Sequence, residues 1–176
     1  SDVCSSDLGA FFKGKTTAVI GGGDVAIEDA IFLARMCSKV YLIHRRDELR
    51  GAKSLQNRLM SLDNVEVIWD TVVEEIVGSD KVEALKLNNK KTGEKSELKV
   101  DGVFVAVGIE PDSGQYAGQV ETDNQGYIIA GEDGRTSVDG VFAAGDVRTK
   151  ALRQIITAAA DGANCITSAQ SYLTRI

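Results

Sequence analysis

The stretch Thr17-Ala-Val-Ile-Gly-Gly-Gly-Asp24-Val-Ala-Ile-Glu28 constrains this chain more than any other. Its short apolar run, Ala18-Val19-Ile20, predicts a buried parallel strand. Three glycines follow at once, and then Ala26, Ile27, Ala30, Ile31, Leu33 and Ala34 recur at helical spacing. Strand, glycine turn and helix in immediate succession give the spacing Gly21-x-Gly23-x-x-Ala26 a physical meaning. Gly21 permits a tight turn, Gly23 lets backbone approach a pyrophosphate, and Ala26 lets the helix pack closely on the strand. Gly22, Asp24 and Val25 complete the turn, and the unpaired N–H groups of the helix start suit phosphate. Asp24 is expected to be the N-cap residue, although its carboxylate does nothing to attract phosphate. The competing reading is a glycine turn in an α/β protein that binds no nucleotide.

Val40-Tyr-Leu-Ile43 predicts the second strand, ending about twenty residues after Gly21, as a dinucleotide unit requires. A carboxylate at that end would grip a ribose hydroxyl pair. This chain instead offers His44-Arg45-Arg46, with Arg50 one helical turn further on. Guanidinium forks suit a phosphate dianion, so the cluster selects NADP(H) over NAD(H), with Arg45, Arg46 and Arg50 around the 2′-phosphate. His44, the single histidine, belongs to this cofactor cluster rather than to general acid–base work. Against this stands a solvated helix start whose charge Asp47 and Glu48 offset.

Further along, Ala52 to Leu62 predicts a helix with Leu55, Leu59 and Leu62 on one stripe. Val65 to Trp69 predicts a third strand, and Thr71 to Val77 alternates less cleanly. Val82 to Leu87 and Ser96 to Val100 flank a loop containing Gly93 and read as a hairpin within a β-meander. Gly102-Val-Phe-Val-Ala-Val-Gly108 is nearly all apolar and predicts the buried closing strand of a doubly wound sheet. Ile109-Glu-Pro111-Asp112 holds the only proline and is expected to be a linker, opposite a second crossing at Phe12 to Lys15. Two crossings mean that the nucleotide unit is inserted into another domain. Beyond it, Gly126 to Ile129 and Gly140 to Asp146 predict short strands. Leu152 to Tyr172 predicts a long helix with Ile155, Ile156, Ala159, Ala163 and Ile166 inward.

Composition narrows the function classes. A net charge of −6 speaks against nucleic acid or an anionic membrane as partner. No apolar run reaches transmembrane length. Cys4, Cys37 and Cys165 are far apart and odd in number, which suggests a reducing, cytoplasmic compartment; no spacing suits a metal. Cys37 and Cys165 are expected to be packing residues. Residues 1–8 read like the in-frame translation of a sequencing adapter and are expected to be non-native.

Four landmarks together resemble the bacterial-type, low-molecular-weight thioredoxin reductases of the pyridine nucleotide-disulfide oxidoreductase class II family. They are Gly9-Ala-Phe-Phe12, Gly21-Gly-Gly-Asp-Val-Ala26, His44-Arg-Arg-Asp-Glu-Leu-Arg50, and Thr136 to Asp146 followed by Leu152-Arg-Gln154. The resemblance covers Gly9 to Tyr172. It implies an α/β fold: a Rossmann-like NAD(P)-binding domain, with parallel sheet and inserted β-meander, over residues 9–112. The C-terminal part of an FAD-binding domain would follow over 113–176. It implies hydride transfer from NADPH to FAD, then reduction of a Cys-x-x-Cys pair and of thioredoxin, in a homodimer. By the same resemblance Gly21 to Ala26 hold the pyrophosphate and His44, Arg45, Arg46 and Arg50 the 2′-phosphate. Val107 and Gly108 line the nicotinamide side, Gly145 and Asp146 touch the ribityl and phosphate region, and Arg153, Gln154 and Ile155 approach the flavin ring. Val25 stands where the family often has Ser or Thr.

The departures lie at the start. The family reads Cys-x-x-Cys-Asp-Gly into the Gly9 position, and here those places are Cys4, Ser5, Ser6, Asp7, Leu8 and Gly9. Only one sulfur aligns, and a dithiol relay needs a resolving thiol. The N-terminal FAD half is absent as well, so the expectation is a part of the parent enzyme that is inactive alone. The alternatives are a non-catalytic NADP(H)-binding module and a related flavin reductase with another acceptor.

Overall fold

The computed structural model describes residues 8–175; Cys4 and the adapter-like segment up to Asp7 lie outside them. The chain separates into two compact units, one ending at Gly108 and the other starting at Ile109, at the leading edge of the expected linker.

The first unit is built on β1 (Thr16–Gly21), α1 (Asp24–Ala34) and β2 (Lys39–Ile43), followed by α2 (Lys53–Met60) and β3 (Val65–Ile68). Strands β4 (Thr71–Gly78), β5 (Val82–Asn89) and β6 (Lys95–Lys99) come next, and β7 (Gly102–Ala106) ends the unit. β1, β2, β3 and β7 make one parallel sheet in the order β3-β2-β1-β7, with Val19 between Leu42 and Phe104. β4, β5 and β6 form a separate antiparallel meander.

Side-chain alternation along β1 explains its unbroken apolar character. Val19, with Val40 and Leu42 of β2, packs against Ile27, Ala30, Leu33 and Leu59 from the helices. Ala18 and Ile43 point the other way and pack against Leu85, Leu87 and Val100. Both faces of the central strands are therefore covered, one by helices and one by the meander. Full burial of one such side chain contributes about 1.5–3 kcal/mol. Cys37 joins the helical side, and burial pushes its thiol up from the ordinary value. The tip of the β5–β6 hairpin is closed by the Asn89 side chain, which accepts from the N–H groups of Lys91 and Thr92, and by Gly93 in the left-handed region.

β7 pairs as expected but is not buried. It lies at the sheet edge with a partner on one side only, and although Val103 packs beneath the meander, Val105 on the same face is 65% exposed.

The second unit departs further from expectation. Among its described residues, pairing is limited to isolated bridges: Ala117 with Val120, Thr122 with Ile128, Ile128 with Arg148, and Arg135 with Phe142. The strands expected at Gly126 to Ile129 and Gly140 to Asp146 do not extend, because Gly126, Gly134, Gly140 and Gly145 all turn the backbone through positive φ. A small cluster of Ile128, Ala130 and Ala143 forms the apolar centre.

Its helix, α3 (Ile155–Leu173), begins with a capping box between Gln154 and Thr157. The inward stripe expected on α3 is overturned: Ile155, Ile156, Ala159, Ala163 and Ile166 are exposed, and Asp161 and Ser168 are buried. Orientation is set by Asp161, whose carboxylate needs charged partners once desolvated and finds them in Arg148 and Lys150. Cys165 lies on this inner side, against the Ala143 carbonyl.

Candidate functional site

The three glycines after β1 obey three different constraints. A methyl group on Gly21 would lie 2.3 Å from the Ala106 carbonyl oxygen and 2.7 Å from the Ala26 Cβ, so strand, helix and turn meet there without room for a side chain. One on Gly22 would lie 2.3 Å from the His44 ring. One on Gly23 would meet nothing within 4 Å. Only the last faces open space, where an incoming group could touch backbone.

Gly23, not Asp24, is the N-cap of α1, and no side chain caps the helix. The Asp24 carboxylate turns away instead and accepts from Ala52 N–H at 2.7 Å, at the start of α2. The expected capping role is thus transferred to the next helix. This leaves the first-turn N–H groups of α1 without intrahelical acceptors, beside the open flank of Gly23.

Arg50 N–H donates to the Gly22 carbonyl at 2.7 Å, tying the glycine turn to the basic loop after β2. That loop is also held by the β3–β4 connection: His44 N–H donates to Ile68 O, Thr71 N–H to His44 O, and Asp70 N–H to Arg46 O. Asp70 makes this turn at φ 53°, in the left-handed region that aspartate tolerates. Arg45, Arg46 and Arg50 are exposed and form no ion pair among the described residues. Asp47 does not offset them. It pairs with Lys91 at 2.9 Å, and the ammonium holds its carboxyl below the ordinary value. Lys91 also reaches Asp70 at 3.1 Å.

His44 behaves unlike its neighbours. It is 4% exposed, its Nε2 has no hydrogen-bond partner, and desolvation pulls its pKa below the ordinary value, with Arg50 and Arg45 pulling the same way. The carbonyls of Glu48 and Gly21 oppose this and are outweighed.

These parts enclose a cleft of about 420 Å³ whose walls include Gly21, Gly22, His44, Arg45, Arg50 and Val107. The lining also includes the β4 segment from Thr71 to Ile76, which sequence reasoning did not single out. Its carboxylates are already engaged, Glu74 by Lys95 and Asn88, and Glu75 by Lys86. Gly23 to Ala26 stand at the helix start and Arg46 within the loop. Gly108 ends the unit at φ 116°.

The remaining expected site residues belong to the second unit. Gly145 opens a turn through Val147, and its N–H donates to Asp161 at 2.9 Å, which seats Gly145 and Asp146 on the early turns of α3. Arg153 stacks 4.0 Å above the Tyr127 ring, with its Nε buried and unpartnered. Gln154 caps α3, and Ile155 is exposed. Among the described residues no cluster of three His, Cys, Asp or Glu could hold a metal ion, and no helix is long and apolar enough to cross a membrane.

Residues 3–162 match the pyridine nucleotide-disulphide oxidoreductase family. The chain belongs to that family. Among family relatives, a thioredoxin reductase of Listeria innocua is 44% identical over 98% of this chain and 54% of its own length. One of Rickettsia conorii is also 44% identical, over 98% of this chain and 57% of its own. The crystal structure of thioredoxin reductase from Streptococcus pyogenes superposes with a TM-score of 0.83 at 45% identity, covering 98% of this chain and 57% of that one. The chain spans about half the length of the curated relatives it matches. The mixed α/β architecture, parallel sheet plus antiparallel meander, is the one seen in these reductases.

Proposed function

We propose that this chain supplies the NADPH-binding domain, residues 9–112, and the C-terminal segment of the FAD-binding domain, residues 113–176, of a thioredoxin-disulfide reductase. The observation that carries the reading is the open flank of Gly23, beside the uncapped start of α1, with the unpaired guanidinium groups of the Arg45–Arg50 loop nearby. An uncapped helix start suits the pyrophosphate. Arg45, Arg46 and Arg50 are free to surround a 2′-phosphate, which a carboxylate there would repel. Val107, in the cleft wall, would border the nicotinamide together with Gly108.

Gly145 and Asp146 would hold the ribityl and phosphate part of FAD, and Arg153, Gln154 and Ile155 would border its ring. The Arg153 Nε, buried without a partner, fits a site that awaits an acceptor. Bound NADPH would supply a hydride, and FAD would pass the electron pair to a disulfide and so to thioredoxin, in a homodimeric enzyme. None of the three cysteines of this chain stands in a Cys-x-x-Cys pair, so the chain by itself performs no disulfide reduction. The test is calorimetric titration of the purified chain with NADPH and NADH. Tighter binding of NADPH supports the reading, and equal affinity, a preference for NADH or no binding overturns it.

A further inference from the structure

We propose that His44 is a positioning residue: its ring is the floor beneath Gly22 and holds the glycine turn in the pose that receives the pyrophosphate. The inference rests on the NADPH reading and deepens it. In a basic cluster at the end of β2, histidine would be expected to donate to phosphate alongside the arginines. The geometry separates it from them.

Three ring atoms, Nδ1, Cε1 and Nε2, lie 2.3, 2.3 and 2.7 Å from the place where a Gly22 methyl would stand. The ring is therefore in full van der Waals contact with the turn, with no space between. Trp69 braces it edge-on, with ring centroids 6.5 Å apart and planes at 77°. Its backbone is fixed on both sides, N–H to Ile68 O at 2.9 Å and C=O from Thr71 N–H at 3.0 Å. Gly22 is thus held between the ring and the Arg50 N–H that binds its carbonyl. A phosphate ligand needs a reachable N–H, and His44 is only 4% exposed, with its Nε2 fully buried. Desolvation and two neighbouring guanidinium groups also disfavour a charged ring, so the cationic work falls to Arg45, Arg46 and Arg50.

A floor under the turn serves the pyrophosphate, which both nicotinamide coenzymes share. An arginine serves the 2′-phosphate, which only one carries. That difference gives the test, made on this chain by calorimetry with NADP+ and NAD+ and by thermal unfolding. His44→Gln, uncharged but flat-ended and of similar reach, should keep the wild-type preference and affinity. His44→Ala should weaken both coenzymes by the same factor, up to about a hundredfold, the scale on which displaced positioning groups act. Gly22→Ala should lower the unfolding midpoint and abolish binding, and adding His44→Ala should restore both towards the His44→Ala level, because the methyl then has room. Loss of NADP+ binding alone in His44→Gln or His44→Ala, or no rescue in the double variant, overturns the role of His44 and leaves the NADPH reading standing. A wild-type chain that binds neither coenzyme overturns both.

Discussion

Asp161 and Arg148 form a buried ion pair in which Oδ1 lies 2.6 Å from Nη2, the two side chains being 4% and 2% exposed. The same carboxylate accepts from Arg148 Nε, Lys150 Nζ and Gly145 N–H. Arg148 in turn donates to the carbonyls of Ala130 and Thr149. One carboxylate therefore joins α3, the Gly145 turn and the Ile128–Ala130 segment. Removing one member of a buried pair strands the other, at a cost of about 3–5 kcal/mol. Asp161→Ala should destabilise the second unit by that amount in urea titrations followed by helical circular dichroism, and a loss below about 1 kcal/mol would refute the role given to the pair.

Acid should expose the same network. The Arg148 guanidinium holds the Asp161 carboxyl well below the usual carboxylate range, against desolvation, with help from Lys150 and the Gly145 N–H. A depressed folded-state pKa contributes stability above the unfolded value, about 4, and that contribution is lost as pH falls through the range below it. Unfolding free energy should be flat with respect to this group from neutral pH down to about 5 and then decline. Asp161→Asn should be destabilised at neutral pH and show a shallower acid decline. Parallel acid profiles for the two proteins would reject the assignment.

Arg45 and Arg46 should govern coenzyme choice. Neutral replacements should weaken NADPH by about 1.5–3 kcal/mol for each charge-assisted hydrogen bond removed and leave NADH nearly unchanged. Calorimetry with both coenzymes measures this directly, and equal losses would contradict a 2′-phosphate role.

Gly21 and Gly23 should respond in opposite ways to the same added methyl. Gly21→Ala drives a Cβ to 2.3 Å from a backbone oxygen, so it should lower the unfolding midpoint sharply. Gly23→Ala meets nothing in the unliganded chain and should change stability by no more than about 1 kcal/mol, the range of an N-cap substitution. Its cost should appear in coenzyme affinity. Unimpaired NADPH binding by Gly23→Ala would argue against backbone contact at this position.

The first unit was largely legible because its signals are local. Ala18 to Ile20, the glycine turn and the apolar spacing of α1 all point to one strand–turn–helix, and Gly93 marked the β5–β6 hairpin. What could not be read depends on partners distant in sequence. The acceptor role of Asp24 lies 28 residues away at Ala52. His44 reads as one member of the basic cofactor cluster, and only the fold brings its ring beneath Gly22, 22 residues earlier in the chain. The stripe Ile155, Ile156 and Ile166 had the spacing of a buried face, but buried charge outranked it in orienting α3, since Asp161 had to meet Arg148 and Lys150. Short apolar runs in the second unit suggested strands, and glycines at positive φ broke them into single bridges.

Because Lys91 engages Asp47, and Arg45, Arg46 and Arg50 form no ion pair among the described residues, three guanidinium groups against the single remaining carboxylate of Glu48 leave the loop a net positive field in solvent. Capture of a polyanionic nucleotide then becomes a long-range event as well as a contact. Added salt shortens the reach of that field from about 30 Å at 0.01 M to about 8 Å at physiological ionic strength. The association rate for NADPH should accordingly drop with ionic strength more steeply than that for NADH, while the dissociation rates of the two respond less.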